Sequence, residues 1–253
     1  MWLNGIGLES LDPKVRLLNI QEQAPKVNVK TADNSKYDGQ LRLSRHKTVL
    51  TIRADFTIRE RAQGRRREIF DEVLAWLGDG GSLEAGHRAG QMIRVEVTEY
   101  PALSSVRDFA NTCSVVFTAY DPCWSAIQPV KATLTTAAGV AKKTTLQPPG
   151  TAPTTFLEFE IKNTGSSAMN TATVSVNGRW FSFAGLGLPA GRSLVAAYDA
   201  RGFLTLTANG ANAMARRTAA SADDLILYQR RSNEITVTTA TAASVVLSAI
   251  GRF

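Results

Sequence analysis

The sequence contains few of the residues that build metal sites and disulfide frameworks. Its 253 residues include only two cysteines, Cys113 and Cys123, and two histidines, His46 and His87. Neither histidine lies at ligand spacing from a cysteine, so the sequence does not indicate a zinc site. A disulfide is not supported in a chain without an export signal. We therefore expect two reduced thiols and no metal or other cofactor.

Long apolar runs and a secretory leader are also missing. No uninterrupted apolar stretch approaches the roughly 20 residues that a membrane-spanning helix needs. The opening MWLNGIGLESLDPKVR does not show a basic start followed by an apolar block. We therefore expect a protein that folds in the cytosol and does not insert into a membrane.

The positive charge of the chain is unevenly distributed. The net charge is +7, and residues 1–128 hold 17 Lys/Arg and 16 Asp/Glu, whereas residues 129–253 hold 12 and 6. In the second part the basic residues are dispersed, as in the separate pairs Arg216-Arg217 and Arg230-Arg231. Dispersed charge is typical of solvated loops, and we regard contact with nucleic acid or an acidic surface as the less favoured interpretation.

The first half of the chain combines alternating strands with one amphipathic helix. In TVLTIRADFTI, residues 48–58, Leu50, Ile52 and Phe56 fall on one face of a strand with period two. The stretch GRRREIFDEVLAWL repeats apolar residues at helical spacing, and Gly78 suits the end of that helix. A turn centred on Asp38-Gly39 precedes the long strand. After the helix we expect a glycine-rich loop, DGGSLEAGHRAG at 79–90, around a short strand at Ser82–Glu84, and then the strands MIRVEVTEY and FANTCSVVFTA.

The stretch YDPCW, residues 120–124, could mark a reactive site or the end of a domain. Asp121-Pro122 should stop the preceding strand, because proline removes a backbone donor. Trp124 is then expected to fold back over the apolar face that carries Val115 and Phe117. Alternation places Cys113 on that face with Phe109, which predicts a packed core thiol rather than a nucleophile. Cys123 is interpreted as a bystander.

The second half has the pattern of an antiparallel β-sandwich. Residues 125–155 are rich in Thr, Ala, Gly and Pro and are predicted to be a connecting region that pairs only in part. About eight short strands separated by turn signals follow from Thr154. In RWFSF, Trp180 falls on the opposite face from Phe181 and Phe183. Packing is the plainer interpretation of this aromatic set, and Trp180 is the candidate contact for a surface ligand, such as a sugar, or for a partner.

No set of catalytic residues is recognisable. His46 precedes a strand and His87 lies in a glycine-rich loop, and neither neighbours a GxSxG turn. The carboxylates Asp223-Asp224 and Glu158/Glu160 lack a third partner. We therefore expect no catalytic residues, and an enzyme such as a wall hydrolase is the least supported alternative.

The order and spacing of these elements resemble the distal tail protein (Dit) family of long, non-contractile-tailed bacteriophages. The resemblance in the first half rests on the YDG turn at Tyr37–Gly39, the single helix, and the strand that ends in Phe117, Ala119 and the DP-aromatic element Asp121–Trp124. In the second half it rests on FLEFEIKNTG, VSVNGRWFSF, the step Leu188–Leu194 and YDARG. It implies a mainly-β chain of two domains. Residues 1–128 would form a ring-forming β-sandwich or split-barrel domain with one helix, and residues 129–253 a galectin-like antiparallel β-sandwich.

The resemblance implies a structural role in the virion. Proteins of this family look like hexameric hubs at the tail tip that join the tail tube to the baseplate, with DNA passing through the lumen. The expected partners are the tube protein, the tail-associated hub and tape-measure proteins, and side fibres or receptor-binding proteins. The virion would be the final location, after assembly in the host cytoplasm.

A carbohydrate-binding module that recognises the host surface is the alternative. Residues 154–253 contain no histidine, so the polar sugar-binding set of true galectins is missing. Only the hub hypothesis explains the N-terminal half of the chain.

Overall fold

The computed structural model describes residues 1–33, 40–103, 110–199 and 202–253. The chain divides into two compact units, Met1–Trp124 (unit 1) and Ser125–Phe253 (unit 2). This division falls directly after Trp124, whereas the sequence placed it after residue 128. The structure is mainly β with antiparallel strand pairing, so the predicted fold class is confirmed.

Unit 1 contains nine strands and one α-helix within its described residues. The strands are β1 (Trp2–Leu3), β2 (Ile6–Gly7), β3 (Val15–Gln23), β4 (Val27–Asp33), β5 (Gln40–Lys47), β6 (Leu50–Arg59), β7 (Gly80–Glu84), β8 (Gln91–Glu99) and β9 (Ala110–Ala119), and the helix is α1 (Gln63–Leu77). Seven strands form a sheet in the order β2-β1-β7-β8-β9-β6-β3, and β4 pairs separately with β5. Two short 3-10 helices lie at Leu8–Ser10 and Gly86–Arg88.

The core of unit 1 lies between the sheet and the helix. Alternate residues of β6, from Leu50 to Ile58, are buried, as the period of two predicted. The helix packs against β6 through its buried apolar residues Ile69, Phe70, Val73 and Leu77. It ends at Gly78, which has a positive φ of 46° and donates its N–H to Leu74 O at 3.2 Å. The predicted helix and its glycine stop are therefore confirmed.

Two glycines that the sequence placed in a loop belong to a strand. Gly80 and Gly81 begin β7, with φ values of 112° and 145°. A Cβ on Gly80 would lie 2.3 Å from Val95 O, and one on Gly81 would lie 2.1 Å from Asn4 Oδ1. The loop prediction was wrong because Gly80 allows the β8 backbone to approach closely, and Gly81 leaves room for the Asn4 side chain beside the strand. The predicted turn at Asp38-Gly39 and the placement of Phe109 lie outside the described residues.

Unit 2 contains thirteen strands within its described residues. They are β10 (Ser125–Ala126), β11 (Val130–Thr136), β12 (Lys142–Leu146), β13 (Thr154–Phe156), β14 (Glu158–Asn163), β15 (Ala172–Val176), β16 (Arg179–Phe183), β17 (Ser193–Tyr198), β18 (Leu204–Ala208), β19 (Ala211–Asn212), β20 (Ile226–Tyr228), β21 (Asn233–Thr239) and β22 (Ala243–Ala249). One sheet has the order β11-β22-β14-β17-β18-β19 and the other β12-β21-β15-β16. A smaller pair joins β13 to β20, and Met214–Arg216 is a 3-10 helix.

The predicted connecting region is largely part of the sandwich. β11 pairs along its whole length with the last strand, from Val130 opposite Ala249 to Thr136 opposite Ala243. β12 pairs in the same way with β21. The sequence signal was weak because Thr and Ala fill positions that larger apolar residues usually occupy in strands. For this reason the sequence indicates a connecting region where the structure has the strands β11 and β12.

Candidate interaction surfaces

The hairpin of β4 and β5, which we call the arm, is the most exposed element of unit 1. Its described side chains are exposed or half-buried, and none is buried. Val29 is 49% exposed and Leu43 is 61% exposed. Leu43 has no opposite residue, because the register shifts between the pairs Lys30–Ser44 and Thr31–Arg42. A two-stranded hairpin without a core is marginally stable in water, so the arm needs a surface to pack against.

The arm also concentrates basic charge. Residues 26–47 hold six Lys/Arg and two Asp, which leaves 11 basic and 14 acidic residues in the rest of residues 1–128. At the base of the arm, the N–H and the hydroxyl of Thr48 both donate to Lys26 O, at 2.8 and 3.1 Å. A basic arm is thus attached to a unit that is otherwise slightly acidic. The near-zero balance of the first half concealed this separation in the sequence.

Strand β3 forms one edge of the unit 1 sheet. It is nine residues long and pairs only with β6 among the described strands. Leu18 lies at a bulge between the pairs Leu17–Phe56 and Asn19–Asp55 and has no residue opposite it in β6. Its side chain is half exposed. A long edge strand offers unpaired backbone groups to a neighbouring molecule, and a bulge limits which partner can pair with it.

Trp124 closes unit 1 through contacts that the sequence did not predict. Its side chain is 1% exposed, so it is buried as expected. The His87 ring meets the indole edge-on with centroids 6.1 Å apart, and the Arg88 guanidinium lies 5.5 Å from the ring centroid. Arg88 also donates to both Glu22 carboxylate oxygens, at 2.8 and 3.2 Å. The stretch YDPCW is therefore an ending, held by residues of β3 and of the 3-10 helix after β7.

The Glu22 carboxylate is held in its charged form by this cluster. Burial acts to raise its pKa, but the hydrogen bonds and charge of Arg88, together with His87 at 3.4 Å, lower the pKa below its ordinary value of 4.5. The buried indole, the guanidinium and the carboxylate thus form one cluster of side chains.

The two cysteines differ in environment. Cys113 is buried in β9, and burial raises the pKa of its thiol to about 11. This agrees with the prediction of a core thiol, because a nucleophilic cysteine needs a lowered pKa and access. Cys123 is half-buried beside Trp124 in the chain.

Trp180 lies where alternation placed it. It belongs to β16, at the end of the sheet β12-β21-β15-β16, and its side chain is 45% exposed. Phe181 and Phe183 point to the opposite side and are fully buried, where both pack edge-on against Phe159. Trp180 therefore remains the candidate contact, and nothing so far identifies what it binds.

Two carboxylates that are far apart in the chain, Glu158 of β14 and Asp224, both act on Tyr198. Glu158 Oε1 accepts the backbone N–H of Tyr198 at 3.0 Å, and the Tyr198 ring stacks on Phe156 with centroids 4.3 Å apart. Burial, followed by the charge of Asp224, raises the pKa of Tyr198. Sequence reasoning treated Glu158 and Asp224 as unrelated surface charges because they are far apart in the chain.

The described residues offer neither a metal site nor a membrane-spanning helix. No group of three or more His, Cys, Asp or Glu among them could hold a metal ion. None of the helices in this part of the chain is both long and apolar enough to cross a membrane.

The fold is similar to that of a solved phage hub protein. The crystal structure of SPP1 Dit, described as a paradigm of the hub adsorption apparatus in phages that infect Gram-positive bacteria, matches with a TM-score of 0.71. The match covers 99% of this chain and 97% of that chain at 8% sequence identity, so the predicted Dit fold is confirmed.

Other comparisons add less. Chains of the phage P2 baseplate in its activated conformation, with Ca or Sr, match with TM-scores of 0.49 and 0.46 at 9% identity, covering 92% of this chain and 90% of theirs. No protein-family model matches the chain, and no curated protein matches it in sequence.

Proposed function

We propose that this chain is a structural protein of a phage tail tip, a Dit-type hub without catalytic activity. Six copies close into a ring that joins the tail tube to the baseplate. The observation that carries the proposal is the match to SPP1 Dit over nearly the full length of both chains. The location that follows is the virion tail tip, with assembly in the host cytoplasm.

The arm supports ring closure by unit 1. A cyclic ring uses one surface of each copy against a different surface of the next. The arm offers exposed apolar residues and basic charge, and the rest of unit 1 offers a slight excess of acid. Charge complementarity of this kind orients docking and sets its register. A lumen lined by slightly acidic surface would also let DNA pass without holding it.

The two units would have different partners in the tail. Unit 1 would stack against the tube protein and contact the tail-associated hub and tape-measure proteins. Unit 2 would carry side fibres or receptor-binding proteins. The two-sheet sandwich of unit 2 has a complete core of its own, which suits a module that presents a surface.

Native mass spectrometry and negative-stain imaging of the purified chain test this proposal. The expected species has six times the chain mass of 27.3 kDa and a ring shape. The double variant Val29→Asp and Leu43→Asp should be a folded monomer, because it places charge on the apolar part of the arm. The control Val140→Asp changes a valine of similar exposure in unit 2 and should still form the ring.

Two outcomes would contradict the proposal. A wild-type chain that stays monomeric at high concentration, even with its tube protein, would contradict the proposal that it forms a ring hub. If the arm variant forms the ring as well as the wild type, the arm does not contribute to ring assembly.

A further inference from the structure

The outward face of the sheet β12-β21-β15-β16 carries a cluster of hydroxyl side chains beside one indole. In the strand register Trp180 lies opposite Ser175, and Ser175 lies opposite Thr236. The neighbouring row contains Ser182 opposite Thr173, and Thr173 opposite Thr238. We call these six residues the hydroxyl face. Adjacent strands are about 4.8 Å apart, so each row extends about 10 Å across three strands.

The hydroxyl face is neutral although unit 2 is basic. The nearest charged residues on the same face of the sheet are Lys143, which lies opposite Thr236, and Glu234, and they form an ion pair at 2.8 Å that offsets their charges. By contrast, the outward positions of β14 in the other sheet are Glu158, Glu160 and Lys162. Residues 129–253 hold 12 basic and 6 acidic residues, so neutrality here is a local property. A polyanion would be drawn to arginine and lysine clusters rather than to this face.

The backbone of the strand that carries the indole is hydrogen-bonded along its outer edge. The outer side of β16 is covered by the segment 218–222, which donates Thr218 N–H to Ser182 O at 2.8 Å and Ala222 N–H to Trp180 O at 2.9 Å. Ser182 N–H in turn donates to Ser221 Oγ at 3.0 Å. The edge of β16 therefore cannot accept an added strand here. Recognition at this place must use side chains, and these hydrogen bonds hold the backbone that carries them.

We propose that the hydroxyl face binds a neutral saccharide chain, with Trp180 as the stacking residue. A sugar ring has a C–H face of positive partial charge that meets the negative face of an indole. Its hydroxyl rim both donates and accepts, as serine and threonine hydroxyls do. A protein partner is less suited, because interface cores need contiguous apolar area and this face has one large apolar side chain. The site is complete within one chain, so it goes beyond the ring and does not depend on it.

Binding to immobilised neutral oligosaccharides, with heparin as an anionic comparator, tests the inference. The wild-type chain should bind at least one neutral probe, and binding should hardly change as NaCl is raised, whereas binding to a polyanion would weaken. Trp180→Ala should reduce the affinity at least tenfold, and Trp180→Phe should retain part of it. Phe203→Ala is the matched control, because Phe203 is a 66% exposed aromatic residue of the same unit and should not affect binding.

The outcomes separate this inference from the hub proposal. Circular dichroism and ring formation of Trp180→Ala should match the wild type, because the side chain lies on an exposed face. Failure to bind any neutral probe, equal binding by Trp180→Ala, or preference for heparin would each overturn the saccharide site while leaving the ring untouched. Loss of ring formation in the wild type would overturn the hub alone.

Discussion

The Arg88 guanidinium contacts both the Trp124 indole and the Glu22 carboxylate, 5.5 Å from the ring centroid and 2.8 Å from Glu22 Oε1. Trp124 is the last residue of unit 1, and its side chain is buried by residues from two distant parts of that unit. The end of unit 1 is thus part of its core, and several consequences can be measured.

Replacing Trp124 with alanine should strongly destabilise unit 1. Truncation of a buried tryptophan leaves a cavity and removes the surface on which Arg88 rests, which costs about 3–5 kcal/mol. The free energy of unfolding, measured by guanidinium denaturation, should fall by that amount, and Trp124→Phe should recover part of it. Tyr120→Ala is the control, since Tyr120 is 64% exposed and its loss should change stability by less than about 0.5 kcal/mol. Equal effects at both positions would contradict the closing role of Trp124.

The Glu22 cluster should make stability depend on pH in the acid range. Because the folded state lowers the pKa of Glu22, its contribution is fully present above the ordinary value of 4.5 and is lost as pH falls through the folded pKa. Glu22→Gln should therefore be less stable than the wild type at neutral pH, and the difference should shrink below pH 4.5. The control is Glu99→Gln, which removes an exposed carboxylate outside this cluster and should change the stability little. A Glu22→Gln difference that is constant with pH would refute the ionic origin.

Ring assembly should weaken as salt is raised. The arm and the rest of unit 1 carry opposite net charge, and each exposed ion pair is worth about 0.2–1 kcal/mol and is screened by salt. Mass photometry over a NaCl series should show dissociation at lower salt for the double variant Lys30→Glu and Arg42→Glu. The same charge change at Lys131 and Lys142 of unit 2 should leave the salt profile unaltered. Identical profiles for the two double variants would argue against arm electrostatics.

Cys113 should resist alkylation in the folded protein. With a pKa of about 11 and a buried side chain, its thiolate is scarce at pH 8 and inaccessible. Intact-mass analysis after iodoacetamide treatment should show Cys113 modified only after guanidinium is added. Cys123→Ser should leave assembly intact, and a ring lost in that variant would show that Cys123 is more than a bystander.

Gly150→Ala should destabilise unit 2. Gly150 has a φ of 141°, and an added Cβ would lie 1.7 Å from Gln229 Oε1 and 2.1 Å from Arg252 O. The variant would have to displace the bond from Arg252 N–H to Gln229 Oε1, at a cost of about 2–5 kcal/mol with the backbone strain. Gly191→Ala, also at positive φ but in open space, should cost only about 1–2 kcal/mol. Thermal unfolding that ranks the two variants the other way would refute this packing.

Local periodicity explains which parts of the fold the sequence predicted. The alternation of β6, the helical spacing of α1 and the inward Phe181 and Phe183 are local patterns, and the structure has them as expected. β11 was missed because its partner β22 lies more than 100 residues away and its own residues are mostly small or polar. Sequence spacing carries no record of such a pairing.

The candidate surfaces were predicted less completely than the fold. The exposure of Trp180 followed from alternation, but the flanking hydroxyls come from three strands that only the register brings together. The turn predicted at Asp38-Gly39 was the only sign of the arm in the sequence, and its lack of a core became apparent only from burial. The contact of Arg88 with Trp124 had no local signal, because cation–π pairs have no fixed spacing in sequence.

The pairing of Val130 with Ala249 has a consequence for how such a chain can be rearranged. The chain enters the sandwich and leaves it on adjacent strands at the same end, so the start of β11 and the end of β22 lie side by side. A module with neighbouring ends can be inserted as a cassette into a loop of another protein, or circularly permuted with a short linker, without disturbing its sheets. Unit 2 is therefore suited to transfer between proteins as an intact piece.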